Sequence, residues 1–497
     1  MKSSCRLRAW SLLASLLPIT AFAAGTNSPR MSVLFIIADD LRTELGCYAS
    51  TLAKTPNLDK LAATGVRFDR AYCQYPLCNP SRASMLTGRH PGTTGVLGNR
   101  SWFGDAHPEF VSLPKHFKNN GYTSVRVGKI FHGGIDDTEA WSVDGQVRTL
   151  AGVRANATNT PARRPRAAAA EAADPDESDA PTPQSGTGLA KEQRSDRWGV
   201  LKGMGESHGD YKMTDRTIGY LRQYKDEPFF IGCGFVKPHS PPEAPQSFYD
   251  KWNVDAIPLP PDFASKPSVP PGFPAGSIRP RNSDLFINRE ATTNEARQMI
   301  RAYLASTAFM DWNAGRVLAA LDELGLREKT IVVFWGDHGY QLGEKGKWSK
   351  AGSLWEQGTR TPFIICDPRQ KTNGKVCPRV VQMVDLYPTL VELCGLPQPA
   401  GLEGRSMVPL LKDPNAPWNH PAYTVWSEDG AHFTGVMVRT ERWRYAEYYG
   451  RGAGAMLLEP ARDPAEMTNL VTDPQYAGVV TELSALVKKY AAGHLPP

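Results

Sequence analysis

Three segments of this chain are apolar almost from end to end and then stop at ionisable residues. Ser32–Ala38, Phe229–Phe235 and residues 330–335 lack the alternation of a half-exposed strand. Runs of this length and kind suit strands buried on both faces of a parallel sheet. The first ends in Asp39-Asp40, the second runs into Lys237-Pro238-His239, and the third into Gly336-Asp337-His338. A fourth strand-like segment, 123–132, ends in Lys129 and His132. Helical patterns lie between them, notably at 113–120, 213–224, 295–324 and 384–393. Strand–helix alternation predicts an α/β fold with a mostly parallel sheet. In such sheets ligands bind beyond the carboxyl ends of the strands. Adjacent carboxylates at such an end call for a cation, and hard oxygen ligands suit Ca²⁺ or Mg²⁺.

A second feature is the stretch Cys78-Asn79-Pro80-Ser81-Arg82, closed by Thr87-Gly88-Arg89. Pro80 suits the first helical position and Gly88 the C-terminal stop. Cys78 then lies at a helix N-terminus, where free N–H groups favour an anion. Arg82 sits one turn on, on the same face. A sulfur, a guanidinium and a positive helix end would converge on a point fit for a tetrahedral oxyanion. The plain alternative, a buried Cys beside a surface Arg, stays open on local pattern alone.

With 497 residues the chain can bury a large core, and a net charge of +6 is small for that length. No nucleic-acid motif is visible, and no nucleic-acid partner is expected. Residues 1–23 read as an export leader: Lys2, Arg6 and Arg8, an apolar run, then Ala21-Phe22-Ala23. That run is shorter than a span, so no stable membrane span is expected after cleavage, and the location is periplasmic or secreted. Seven cysteines follow the leader; setting Cys78 aside leaves six that could pair. Residues 155–190 are Ala-, Pro- and charge-rich and read as a disordered insertion. The tail at 435–440 and 443–449 reads as antiparallel strands, with a closing helix at 479–492. The boundary is placed at 412, giving a catalytic domain over 24–412 and a C-terminal subdomain over 413–497.

The Cys78 stretch resembles the sulfatase signature, C-x-P-S-R with a following T-G-R. The resemblance extends to Ile37-Ala38-Asp39-Asp40-Leu41-Arg42, Leu45-Gly46-Cys47-Tyr48, Val127-Gly128-Lys129-Ile130-Phe131-His132, Lys237-Pro238-His239, Asp337-His338-Gly339 and the tail motif from Asp463 to Leu470. The family belongs to the alkaline-phosphatase-like superfamily, which implies an α/β/α sandwich with a small antiparallel C-terminal domain. Within it the likeness is to iduronate-2-sulfatase-type enzymes; a His at 338, where other sulfatases often have Asn, points to that branch.

By this resemblance Cys78 is oxidised to formylglycine by a maturation enzyme, and Asp39, Asp40, Asp337 and His338, with residue 78, hold Ca²⁺. The implied mechanism hydrates formylglycine to a diol, one hydroxyl of which attacks sulfur while Arg82 binds sulfate oxygens. His239 and Lys350 would assist the leaving alcohol, and His132 with Lys129 would deprotonate the second hydroxyl. The implied substrate is a sulfated carbohydrate, with Arg100, Trp102, Trp348 and His432 as residues that could line a sugar subsite. Two other readings stay open: a phosphate or phosphonate ester hydrolase on the same scaffold, and an inactive exported glycan-binding protein.

Overall fold

The computed structural model describes residues 30–149 and 190–495. The export leader at 1–23 and the insertion at 155–190, apart from Ala190, lie outside the described residues. The main sheet has seven strands: β1 (Ser32–Ala38), β2 (Val66–Tyr72), β3 (Thr123–Gly128), β4 (Phe229–Phe235), β5 (Thr330–Gly336), β6 (Arg360–Cys366) and β7 (Val376–Gln382), in the order β3-β4-β1-β5-β6-β2-β7. Only β6 runs against the others. The apolar run of β1 is central because every one of its residues is buried and both its edges are paired.

Alternate β1 side chains enter two cores, as the pleat requires. Val33, Phe35 and Ile37 pack on one face with residues of three helices, α2 (Cys78–Thr87), α3 (Leu113–Asn119) and α6 (Leu386–Leu393). Leu34, Ile36 and Ala38 pack on the other with α1 (Pro56–Ala63), α4 (Gly209–Gln223) and α5 (Thr293–Glu323). The result is an α/β/α sandwich. The tail adds an antiparallel sheet, β8 (Ala422–Trp426), β9 (Gly435–Arg439), β10 (Arg444–Tyr448) and β11 (Gly454–Leu458), and a helix, α7 (Ala477–Tyr490). Its core also takes in Phe273, Ile278, Leu354 and Trp355 from earlier in the chain.

Several local expectations shift. The strand expected over 123–132 stops at Gly128, whose φ of +71° turns the chain out of the sheet. Helix α4 starts at Gly209, ahead of its apolar pattern, because His208 Nδ1 caps Asp210 N–H at 3.1 Å. Helix α2 starts at Cys78, so Pro80 is its third residue; its missing N–H costs nothing there, since the first four have no intrahelical acceptor. The six cysteines proposed for pairing do not pair: among the described residues no two cysteines form a disulfide. Buried thiols such as Cys366 and Cys377 instead donate to the Leu61 and Pro414 carbonyls, at 3.3 and 3.4 Å.

Candidate active site

Register brings the polar strand ends together. In the parallel pairing Ala38 faces Phe235 on one side and Gly336 on the other, so Asp39 and Asp337 leave the sheet side by side. Gly128 pairs with Gly234, which places Lys129 at the same rim. A Cβ on Gly234 would lie 2.2 Å from the Lys129 carbonyl oxygen, so the two chains approach this closely only because residue 234 is glycine. Asp40 takes a positive φ of 59°, which Asp tolerates. Its N–H donates to Asp337 Oδ1 at 3.1 Å, and Tyr303 OH donates to its carbonyl at 2.7 Å.

Helix α2 delivers residues 78 and 82 beneath this rim. Leu77 is extended and Gly88 closes the helix with a φ of +64°; all ten helical residues are buried. Asn79 N–H and side chain are tied to Asn99 Oδ1 and to the Gly98 and Ser101 carbonyls at 2.7 to 3.1 Å. Cys78 Sγ lies 3.3 Å from Asp39 Oδ1 and 3.3 Å from His338 Nε2. Arg82, fully buried, donates through Nη2 to Asp39 Oδ1 at 3.1 Å and through Nε to Asp337 Oδ2 at 3.0 Å. Lys129 Nζ reaches Asp39 Oδ2 at 2.6 Å.

On the other side of the rim, Lys350 Nζ is 3.2 Å from Asp40 Oδ2 and 3.3 Å from His239 Nε2. The loop carrying His239 is held from below: Asp210 accepts from Val236 N–H at 3.0 Å and Lys237 N–H at 2.9 Å. Both histidines turn Nδ1 to a backbone carbonyl, Ser240 at 2.7 Å and Gly339 at 2.9 Å. Nδ1 is therefore the donor, and Nε2 is presented to the site.

Burial raises Asp39, but Lys129, Arg82 and His239 outweigh it and hold the carboxyl well below the usual range. Asp40 is pushed up to about 6 by burial, against His239 and Lys350. Burial and the neighbouring Asp39 push the Cys78 thiol well up, so it is not a thiolate. Burial and Asp39 also raise Asp337.

The ligand atoms of Asp39, Cys78, Asp337 and His338 all lie within 4.8 Å of one another, as do those of Asp40, Cys78 and His239. Asp40 Oδ1 is buried and, among the described residues, makes no hydrogen bond, though the Lys350 ammonium lies 3.2 Å away. Three carboxylates and one imidazole fit a hard dication. A thiol sulfur is a poor ligand for such an ion; an oxygen at the same place would match the set.

Nine of the ten residues singled out from sequence thus meet. The tenth, His132, is buried in the loop leaving β3, three residues after Lys129. Of the four sugar-subsite residues, Trp348 is fully buried with its ring 4.8 Å from Phe286, which removes it from a free subsite. His432 pairs with Asp429 at 2.8 Å in the tail. Arg100 lies within the loop that ties down Asn79 and Trp102 directly follows it, with the Arg148 guanidinium 3.7 Å over the Trp102 ring. Sequence reasoning missed Tyr303 and Asp210, which act through backbone, and Asp284, whose Oδ2 is 3.6 Å from Lys350 Nζ. Asp210 in the first turn of a helix was a readable signal; Asp284 sits in an aperiodic stretch and had none.

Fold and site together define a hydrolase of tetrahedral oxyanion esters. The Sulfatase family profile matches residues 32–396, and the N-sulphoglucosamine sulphohydrolase C-terminal profile matches 343–492. The chain belongs to the sulfatase family and is a sulfuric ester hydrolase. A sulfatase of Formosa agariphila is 31% identical over 92% of this chain and 86% of its own length. Human iduronate 2-sulfatase is 30% identical over 76% of this chain and 71% of its own length. Among solved structures, a 2-O GAG sulfatase superposes with a TM-score of 0.65 at 23% identity, covering 93% of this chain and 92% of the other. The phosphonate monoester hydrolase of Agrobacterium radiobacter superposes with a TM-score of 0.71 at 21% identity, covering 94% and 96%. At these identities the structural likenesses establish the fold.

Proposed function

We propose that the protein removes sulfate from O-sulfated sugars or uronic acids of polysaccharides or glycosaminoglycans, in the manner of iduronate-2-sulfatase. Residue 78 works as formylglycine, and Ca²⁺ is held by Asp39, Asp40, Asp337, His338 and residue 78. The observation that carries this reading is the convergence of three carboxylates and His338 on Cys78 at the head of α2, with Arg82 beneath. Calcium, when bound, supplies Lewis-acid polarisation of the ester oxygens.

The chain's own residues do the rest. Arg82 bridges Asp39 and Asp337 and fixes both carboxylates against repulsion. Lys129 keeps Asp39 ionised, and His132 with Lys129 takes the proton of the modified residue. On the opposite side the Lys350 ammonium, 3.3 Å from His239 Nε2, faces the leaving oxygen and supplies its proton, with His239 holding the ammonium in place. A buried, protonated Cys78 thiol offers no second hydroxyl and does not suit the same chemistry. The reading carries with it an oxidising maturation enzyme, export by residues 1–23 to the periplasm or outside the cell, and a catalytic unit ending near residue 412.

The test couples mass spectrometry of the Cys78 peptide to turnover of sulfated disaccharides, an aryl sulfate and a phosphodiester by one active preparation. Expected are an aldehyde at residue 78, preference for sulfate esters and loss of activity on chelation. Full activity with an intact thiol, or preference for the phosphodiester, would overturn it.

A further inference from the structure

The loop from Leu342 to Lys350 carries three lysines, and their surroundings differ. Lys345 Nζ pairs with Asp262 at 2.6 Å, and Lys350 Nζ lies between Asp40 at 3.2 Å and Asp284 at 3.6 Å. Lys347 is just as buried, at 1% exposure, yet among the described residues no carboxylate lies within ion-pair distance. Its ammonium makes one hydrogen bond, to the Arg281 carbonyl at 3.1 Å. Of the charges that act on it, the stronger is a cation, Arg279, and the weaker the carboxylate of Asp284. Arg279, two residues before Arg281, makes no ion pair among the described residues; its guanidinium rests 5.1 Å from the Trp426 ring. The Arg281 guanidinium donates to Asn288 Oδ1. The Arg279 stem packs on Gly352, where a Cβ would lie 2.5 Å from its Cδ.

Desolvating an ammonium without a counter-ion is costly, and a like charge beside it adds to the cost. Burial and then Arg279 push Lys347 down to about 7, with Asp284 opposing. The cluster is one carboxylate away from the reaction centre: Asp284, three residues after Arg281, approaches Lys350, which approaches His239. On the proposed reading it therefore borders the leaving-group side of the site. We propose that Arg279 and Lys347 form an anion subsite that takes a second acidic substituent, a carboxylate or a further sulfate, on the saccharide whose sulfate ester is cleaved. The anion supplies the counter-charge that the protein withholds, and makes the enzyme selective for multiply charged sugars. This inference rests on the proposed action on sulfated sugars.

The experiment compares a 2-O-sulfated uronate disaccharide, its carboxyl-reduced counterpart and its further sulfated form, with wild type, Lys347→Gln and Arg279→Gln. Each variant is expected to lower kcat/KM about tenfold more for the multiply anionic sugar than for the carboxyl-reduced one, through KM. The substituent whose removal abolishes that difference is the occupant. An equal loss on all three sugars would mean a structural role and overturn the proposal. Arg279 is partly exposed, so its variant stays informative if Lys347→Gln misfolds. Calorimetry on the Cys78→Ala protein separates the two readings. If wild type cleaves none of the sugars, but the uronate disaccharide binds and Lys347→Gln weakens it tenfold more than the reduced form, the subsite stands and the sulfated-sugar reading falls. No binding, or equal weakening, overturns the subsite.

Discussion

At the scale of single residues, buried charge decides what each side chain can do. Arg82 is completely enclosed and is the only guanidinium among the described residues that bridges Asp39 and Asp337. Removing it leaves two desolvated carboxylates facing each other, and breaking such a pair costs about 3–5 kcal/mol. Arg82→Gln is expected to lower stability by that amount in chemical denaturation and to abolish turnover, with added Ca²⁺ restoring part of the stability and none of the activity. Lys347 poses the reverse case. Its folded pKa of about 7 lies below the ordinary 10.5, so between these values the unfolded chain holds a proton that the folded one lacks. Stability then rises with pH across that window, and the penalty is complete below 7. Lys347→Met is expected to raise stability by a few kcal/mol at pH 6, on the order of 1.4 per pKa unit. The gain should shrink as pH rises from 7 to 10.5. Unfolding midpoints of both proteins at pH 6, 8 and 10 check it; a constant gain would contradict the sign.

At the scale of elements, close backbone approach positions the site. Gly234→Ala puts a Cβ against the Lys129 backbone, which cannot rotate away as a flexible side chain would. Overpacking of this kind costs about 1–3 kcal/mol. It should also move Lys129 off Asp39, so activity is expected to fall by more than the stability loss alone would take away. Parallel assays of turnover and unfolding distinguish the two; an active, merely less stable variant would show that Lys129 is placed by something else. The same elements explain what could be read from sequence. β1, β4 and β5 are buried on both faces, and their unbroken apolar runs could be nothing exposed. β7 pairs on one edge only, with β2, exposes Val376 and contains Pro378, so it carries none of that signal and was missed. β8 and β11 were missed as well: they are five-residue strands at the two edges of the tail sheet. Of the site, the strand ends and the Cys78 stretch were legible because strand register alone brings them together. Tyr303, Asp210 and Asp284 were not, because they arrive from helices and a loop whose approach depends on tertiary packing.

At the scale of the whole molecule, the two sheets are joined by charge as well as by apolar packing. Arg444, on β10 and fully buried, lies between Glu356 and Glu466, with its Nε 2.8 Å from Glu466 Oε1. Glu356 also accepts from Tyr72 of β2 at 2.9 Å, and Arg439 of β9 donates to that Tyr72 oxygen at 3.1 Å. Burial would raise Glu356, but Arg444, Arg439 and Arg360 outweigh it and hold it down at about 2. Burial instead raises Glu466, so Glu466 takes up a proton first as the medium turns acidic. A depressed folded pKa means that the contribution of Glu356 is fully present above its ordinary 4.5 and is lost as pH falls from there through 2. The fastening of the tail sheet should therefore loosen as the medium turns acidic. Glu356→Gln leaves Arg444 and Arg439 with less counter-charge and is expected to cost about 3–5 kcal/mol at neutral pH. Hydrogen exchange read by mass spectrometry should show β9 and β10 of the wild type losing protection below pH 4 while β1 and β5 keep theirs. In Glu356→Gln the same strands should be weakly protected already at pH 7, with little further change on acidification. Simultaneous loss of protection in both sheets would show that the Glu356–Arg444 contact is not what fastens the tail to the catalytic sheet.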